Sequence, residues 1–134
     1  MTPTREQLWD LRLRDQNAVP GPIWVDSQCL DCELCREIAP SLFRRNEQEG
    51  TSYVFRQPDT EEEKKQAEEA IWGCCVEAIH SNGDSFDWRK IPPLKPYSKL
   101  NRFQKWIRQI REDFARGRIC FRTHLHTYSY TFRK

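Results

Sequence analysis

Apolar positions recur at helical spacing in two separate stretches. Ala67, Ala70, Ile71 and Cys74 fall at i, i+3, i+4 and i+7, the spacing of one buried helix face. Thr60 stands where an N-cap belongs, and Glu63 follows three residues later to complete a capping box. Glu61, Glu62 and Glu63 suit the positive end of a helix dipole. This pattern predicts a helix from Thr60 to Gly73. Nearer the C-terminus, Leu100, Phe103, Trp106, Ile107, Ile110 and Phe114 share one face, with Arg102, Lys105, Arg108 and Arg116 mostly opposite. That is an amphipathic basic helix, capped by Ser98 and stopped at Gly117. A short helical segment, Thr4–Asp15, opens the chain, and Trp9 is its staple. Between the helices lie short strand patterns: Ile23-Trp24-Val25 after Pro20-Gly21-Pro22, Thr51 to Arg56 after Glu49-Gly50, and Ala78-Ile79-His80 before Asn82-Gly83-Asp84. Glu33 to Ile38 reads as one helical turn. Ile119 to Phe132 reads as strand-like, with Tyr128, Tyr130 and Phe132 alternating. The mixture predicts an α+β protein.

The chain has 134 residues, enough for one domain or for a small domain with an appendage. Five Trp, four Tyr and seven Phe argue against disorder. No apolar run approaches the roughly 18 residues of a membrane span. Met1 to Asp15 is charged and lacks the apolar stretch of a signal peptide, so the expected location is the cytoplasm. Net charge is only +2, but it is divided. Residues 1–87 hold nine Lys/Arg against eighteen Asp/Glu, and residues 88–134 hold thirteen against two. The break falls in Asp87-Trp88-Arg89-Lys90-Ile91-Pro92-Pro93-Leu94-Lys95-Pro96, whose three prolines forbid a regular helix and suggest a stiff extended connector. The expected organisation is an N-terminal helical arm over 1–19, a domain over 20–87 and a basic extension over 88–134.

Six cysteines sit at 29, 32, 35, 74, 75 and 120. A reducing cytosol disfavours structural disulfides. Cys29-Leu-Asp-Cys32-Glu-Leu-Cys35 is also too tightly spaced for separate bridges, and three thiols within seven residues suit one shared soft metal centre. Zinc sites usually take Cys in pairs, whereas CxxCxxC is the run that wraps an iron–sulfur cubane. In two-cluster ferredoxins a further Cys before Pro ligates the other cluster; here Ala39 precedes Pro40, so one cluster is expected. A fourth thiolate must come from Cys74 or Cys75. Cys74 continues the buried helix stripe and Cys75 is rotated off it, which favours Cys74.

Pro40-Ser41-Leu42-Phe43, Ser52-Tyr53-Val54-Phe55, Cys74-Cys75-Val76-Glu77-Ala78-Ile79 and the lead-in Trp24-Val25-Asp26-Ser27-Gln28-Cys29 resemble a bacterial single-cluster [4Fe–4S] ferredoxin over roughly residues 20–87. The resemblance implies a compact ferredoxin-like α+β domain of two pseudo-symmetric halves. It implies a [4Fe–4S] cluster on Cys29, Cys32, Cys35 and Cys74. It also implies a non-enzymatic one-electron carrier that trades electrons with a reductase and a ferredoxin-dependent oxidoreductase. Where the family has Pro after the last ligand, this chain has Cys75, which restores a backbone N–H. The basic C-terminal helix-plus-strand extension has no counterpart in the family pattern.

Asp31 and Glu33 inside the cysteine loop should oppose uptake of an electron and favour a low potential. Trp72, beside the last ligand, is expected to shield the site. His80 reads as a surface or hydrogen-bonding residue, and the run from Glu61 to Lys65 as a solvated face. Cys120, His124 and His126 are favoured as chance occupants of a strand over a second metal site. The basic helix is expected to pack its apolar face on the rest of the chain or on a partner subunit. Docking to an acidic redox partner ranks next, and nucleic acid and a membrane surface rank lower. The alternatives to a free carrier are a fixed subunit of a larger redox complex and a non-redox metal-stabilised module whose tail binds nucleic acid. The oligomeric state is not encoded in these patterns.

Overall fold

A computed structural model of the chain describes residues 2–118. The strand expected over 119–132, with Cys120, His124 and His126, lies outside the described residues. The order of elements is α1 (Arg5–Leu13), β1 (Trp24–Val25), α2 (Leu34–Ile38), β2 (Phe43–Asn46), β3 (Thr51–Val54), α3 (Glu61–Gly73), β4 (Ile79–His80) and α4 (Arg102–Ala115). Short 3-10 turns occupy Gly83–Ser85, Trp88–Lys90 and Tyr97–Lys99.

Residues 24–80 run strand, helix, strand, then strand, helix, strand. The outer strands pair antiparallel, with Trp24 opposite His80 and Val25 opposite Ile79. The inner strands pair from Phe43 opposite Val54 to Asn46 opposite Thr51. This is a mixed arrangement of helices and two small sheets, in agreement with the α+β expectation. Strand β2 was not among the predicted elements. Its sequence, Phe-Arg-Arg-Asn, buries only Phe43, so nothing in it alternates clearly; its partner β3 defines it through the ladder.

Helix α3 begins as its sequence demands. Thr60 accepts a hydrogen bond from the Glu63 N–H, and the Glu63 side chain returns to the cap. Ala67 and Ala70 face the core. Small residues let α2 and α3 approach closely: a Cβ on Gly73 would sit 2.8 Å from Leu34 Cδ2. The core beneath joins Phe43, Leu42 and Val54 to Ile23, Val25, Ile79 and four alanines, with Cys35 inside it.

A second core joins the flanking segments. Leu11 of α1, Trp24 and Ile91 are buried together, with Phe86 and Trp88 against them. The proline-rich connector is thus laid along the molecule, and the Leu94 N–H bonds the Arg12 carbonyl at 2.7 Å. Helix α4 packs on α1. Arg116 reaches Asp10 at 2.6 Å, Glu112 at 3.3 Å and Glu6 at 3.6 Å, and Arg5 lies over the Phe114 ring. The N-cap of α4 is Asn101, in a capping box with Gln104. Ser98, expected there, instead donates to Glu49 from its N–H and its hydroxyl.

Candidate metal centre

Cys29, Cys32, Cys35 and Cys74 line one small pocket, closed by Val25, Leu34, Ala70, Val76, Ala78 and Ile79. The CxxCxxC loop supplies three of them, and α2 starts between the second and third. Cys74 follows directly on Gly73, the last residue of α3. Cys75 is exposed and does not line the pocket. Its thiol lies beside that of Cys32; partial desolvation first, then Cys32, raises it above its ordinary value.

Two backbone donors already address the sulfurs. The Ser52 N–H reaches Cys29 Sγ at 3.4 Å, and the Ala78 N–H reaches Cys74 Sγ at 3.3 Å. Three non-glycine residues of these loops are left-handed: Asp31 at φ 58°, Glu33 at φ 71° and Glu77 at φ 51°. Backbone of this kind turns N–H groups toward one side and builds the concavities that cup sulfur anions. Each such residue costs on the order of 1–3 kcal/mol, a strain concentrated at functional sites. Burial raises the Cys35 thiol above its ordinary value, while a hydrogen bond with Ser52 works the other way. Metal ligation removes such thiol protons outright.

Asp31 does not act as a free charge beside the thiols. Arg36 grips one of its oxygens at 2.9 Å and Arg45 the other at 2.7 Å. The Arg45 and then the Arg36 hydrogen bonds hold the Asp31 carboxyl below its ordinary value. Glu33 also pairs with Arg36, at 3.4 Å. The charge that the loop sequence presents is therefore largely balanced from α2 and β2. Trp72 is 89% exposed and lines a different hollow, so it does not shield the cysteines. His80 hydrogen-bonds Asp26 at 2.6 Å and stacks on Trp24 with centroids 4.4 Å apart, as expected of a hydrogen-bonding residue.

Among the described residues, no three His, Cys, Asp or Glu side chains gather closely enough to hold a single ion. The donor set nonetheless suits a polynuclear centre, whose thiolates reach separate irons across a shared space. Four soft sulfurs, an apolar wall and inward backbone donors fit such a group.

This arrangement defines a small α+β domain with a cysteine-lined pocket. Residues 25–81 match the family model described as the 4Fe-4S single cluster domain of Ferredoxin I. The match covers less than half of the chain, and within it the chain carries a ferredoxin-type domain that binds a [4Fe–4S] cluster. Cys29, Cys32, Cys35, Cys74 and Cys75 all fall inside it; α1 and α4 fall outside. Sequence reading had no access to the Ser52 and Ala78 donors or to the Arg36 and Arg45 clamp. Only Asp31, of a residue type tolerant of left-handed backbone, carried any signal of the loop geometry.

Proposed function

We propose that this protein is a one-electron carrier, a ferredoxin, whose [4Fe–4S] cluster is held by Cys29, Cys32, Cys35 and Cys74. The observation that carries the reading is the convergence of these four cysteines on one apolar pocket, with Cys75 left outside it. Bound there, the cluster supplies reversible uptake of one electron, its charge spread over four irons. The chain's own residues do the rest. Ser52 and Ala78 N–H groups stabilise sulfur charge; Val25, Ala70, Val76, Ala78 and Ile79 restrict water. No bond of a substrate is broken, so no acid, base or nucleophile is needed, and the role is non-enzymatic. The potential then depends on burial and backbone hydrogen bonds more than on Asp31, whose charge is paired. Redox proteins are the partners: a reductase on one side and a ferredoxin-dependent oxidoreductase on the other. Among the described residues no helix is long and apolar enough to cross a membrane, and we place the carrier in the cytoplasm.

The test is elemental analysis and reductive titration of anaerobically purified protein. Equal iron and acid-labile sulfide, with bleaching complete after one electron per chain and reversed by oxidation, is the expected result. Zinc without sulfide overturns the reading.

A further inference from the structure

A cavity of about 310 Å³ opens where the N-terminal arm, the β2–β3 hairpin and α4 meet. Two guanidinium groups line it. Arg14 is only 9% exposed; it donates to the Leu11 carbonyl and lies 4.7 Å over the Trp88 ring. Arg108, half-buried, donates to the Lys95 carbonyl. Among the described residues neither forms an ion pair with a carboxylate; Glu112 and Glu49 act on Arg108 only from farther off. Burial lowers both arginines from their ordinary values, as expected of cations without close counter-charge.

The carboxylates on the same walls are already engaged. Asp15 accepts from the Asn17 N–H and from Asn46, and Asp26 from the Gln28 N–H while bonded to His80. Glu49 accepts from Ser98, and Glu112 pairs with Arg116. The Ser27 hydroxyl is buried in the cavity wall with no hydrogen-bond partner among the described residues. These bonds leave the charges of Asp15 and Glu49 on the wall unpaired, but they occupy carboxylate oxygens, so the unmet hydrogen-bonding capacity of the cavity is mainly that of donors. Burying unpaired positive charge is costly, and a guanidinium fork matches carboxylate and phosphate at two points. The volume lies at the small end of ligand pockets, roughly 300–1,000 Å³.

We propose that this cavity binds a small oxyanion, a dicarboxylate or a phosphate, between Arg14 and Arg108, with the Ser27 hydroxyl as a third donor. Val25 and Ser52 line both this cavity and the cysteine pocket. On the cluster reading above, an anion here opposes reduction, and reduction weakens anion binding by the same factor.

The experiment is calorimetric titration of full-length, cluster-loaded protein with succinate and, separately, inorganic phosphate at low ionic strength. The expected result is saturable one-site binding of one of them, which names the anion class. Arg108→Gln is expected to weaken it about ten-fold, the worth of one charged hydrogen bond. Ser27→Ala, a smaller change to the wall, is expected to weaken it several-fold. Arg111→Gln, at an exposed position outside the cavity, should leave it intact. Absence of saturable heat with both anions, or undiminished binding in both Arg108→Gln and Ser27→Ala, overturns the proposal. Visible cluster absorption, recorded for each sample, separates loss of this site from failure of the cluster reading.

Discussion

The core around the cysteines and the core beneath α1 are made of different materials. The first packs Phe43, Leu42 and Val54 against Ala39, Ala67, Ala70 and Ala78, with Ile23, Val25 and Ile79 beside them, and it opens on four cysteines. The second packs Leu11 and Ile91 against Trp24, Phe86 and Trp88, whose rings meet edge to face at 6.1–6.4 Å. Alanines bring helices close and leave space for a group that is not a side chain; large rings fill their own space. On the proposed reading the cysteine side is completed by a bound cluster, whereas the flanking collar is completed by the chain itself.

The sharpest way to break this contrast is at the sulfurs. Cys74→Ser should strip most iron and sulfide from the protein and loosen the α2–α3 side, whereas Cys75→Ser should retain both. The reverse outcome, read by iron analysis, would reassign the ligand. On the other side, Leu11→Ala should cost about 2–5 kcal/mol, because it empties a fully buried site. Thermal unfolding should register that loss while cluster absorption at low temperature stays unchanged. Gly73→Ala tests the close approach of the two helices. Its Cβ meets Leu34 at 2.8 Å, so a penalty of about 1–3 kcal/mol is expected, softened as the Leu34 side chain gives way. Thr60→Ala removes the α3 cap and should cost about 1 kcal/mol in a denaturant melt.

The smallest effect concerns pH. The Arg56 hydrogen bond first, then the Asp59 N–H, holds Glu63 down at about 2, below its ordinary 4.5. Its contribution is thus present above pH 4.5 and fades as pH falls toward 2. Carboxyl NMR should find Glu63 titrating near 2, and higher but still below the ordinary value in Arg56→Ala, where the Asp59 and Thr60 N–H bonds remain. An unshifted Glu63 in the parent protein would show that this ion pair does not persist in solution.

Local chemistry made much of this readable in advance. The Thr60–Glu63 box, the α3 stripe and the paired-gap cysteine run each depend on neighbours within a few residues, so their spacing carries the geometry. The unread parts depend on distant partners. Strand β2 exists because β3 pairs with it, and Arg36 and Arg45 matter because the fold brings them to Asp31. Glu33 and Glu77 take left-handed backbone against their residue type, which no sequence pattern announces. Ser98 looked like a cap, but Asn101 is the better one and Ser98 was drawn to Glu49. Trp72 sat next to a ligand in sequence, yet helical rotation carried its ring to the outside.

The Gly83 N–H bonds the Pro22 carbonyl at 2.8 Å, and any Cβ at Gly83 would collide with the Gly21 carbonyl oxygen. Chain therefore enters and leaves the ferredoxin-type segment at nearly the same point. A segment whose ends touch behaves as an insertable cassette. The stretches before and after it start as neighbours, which lets α1 and α4 find each other across more than eighty intervening residues.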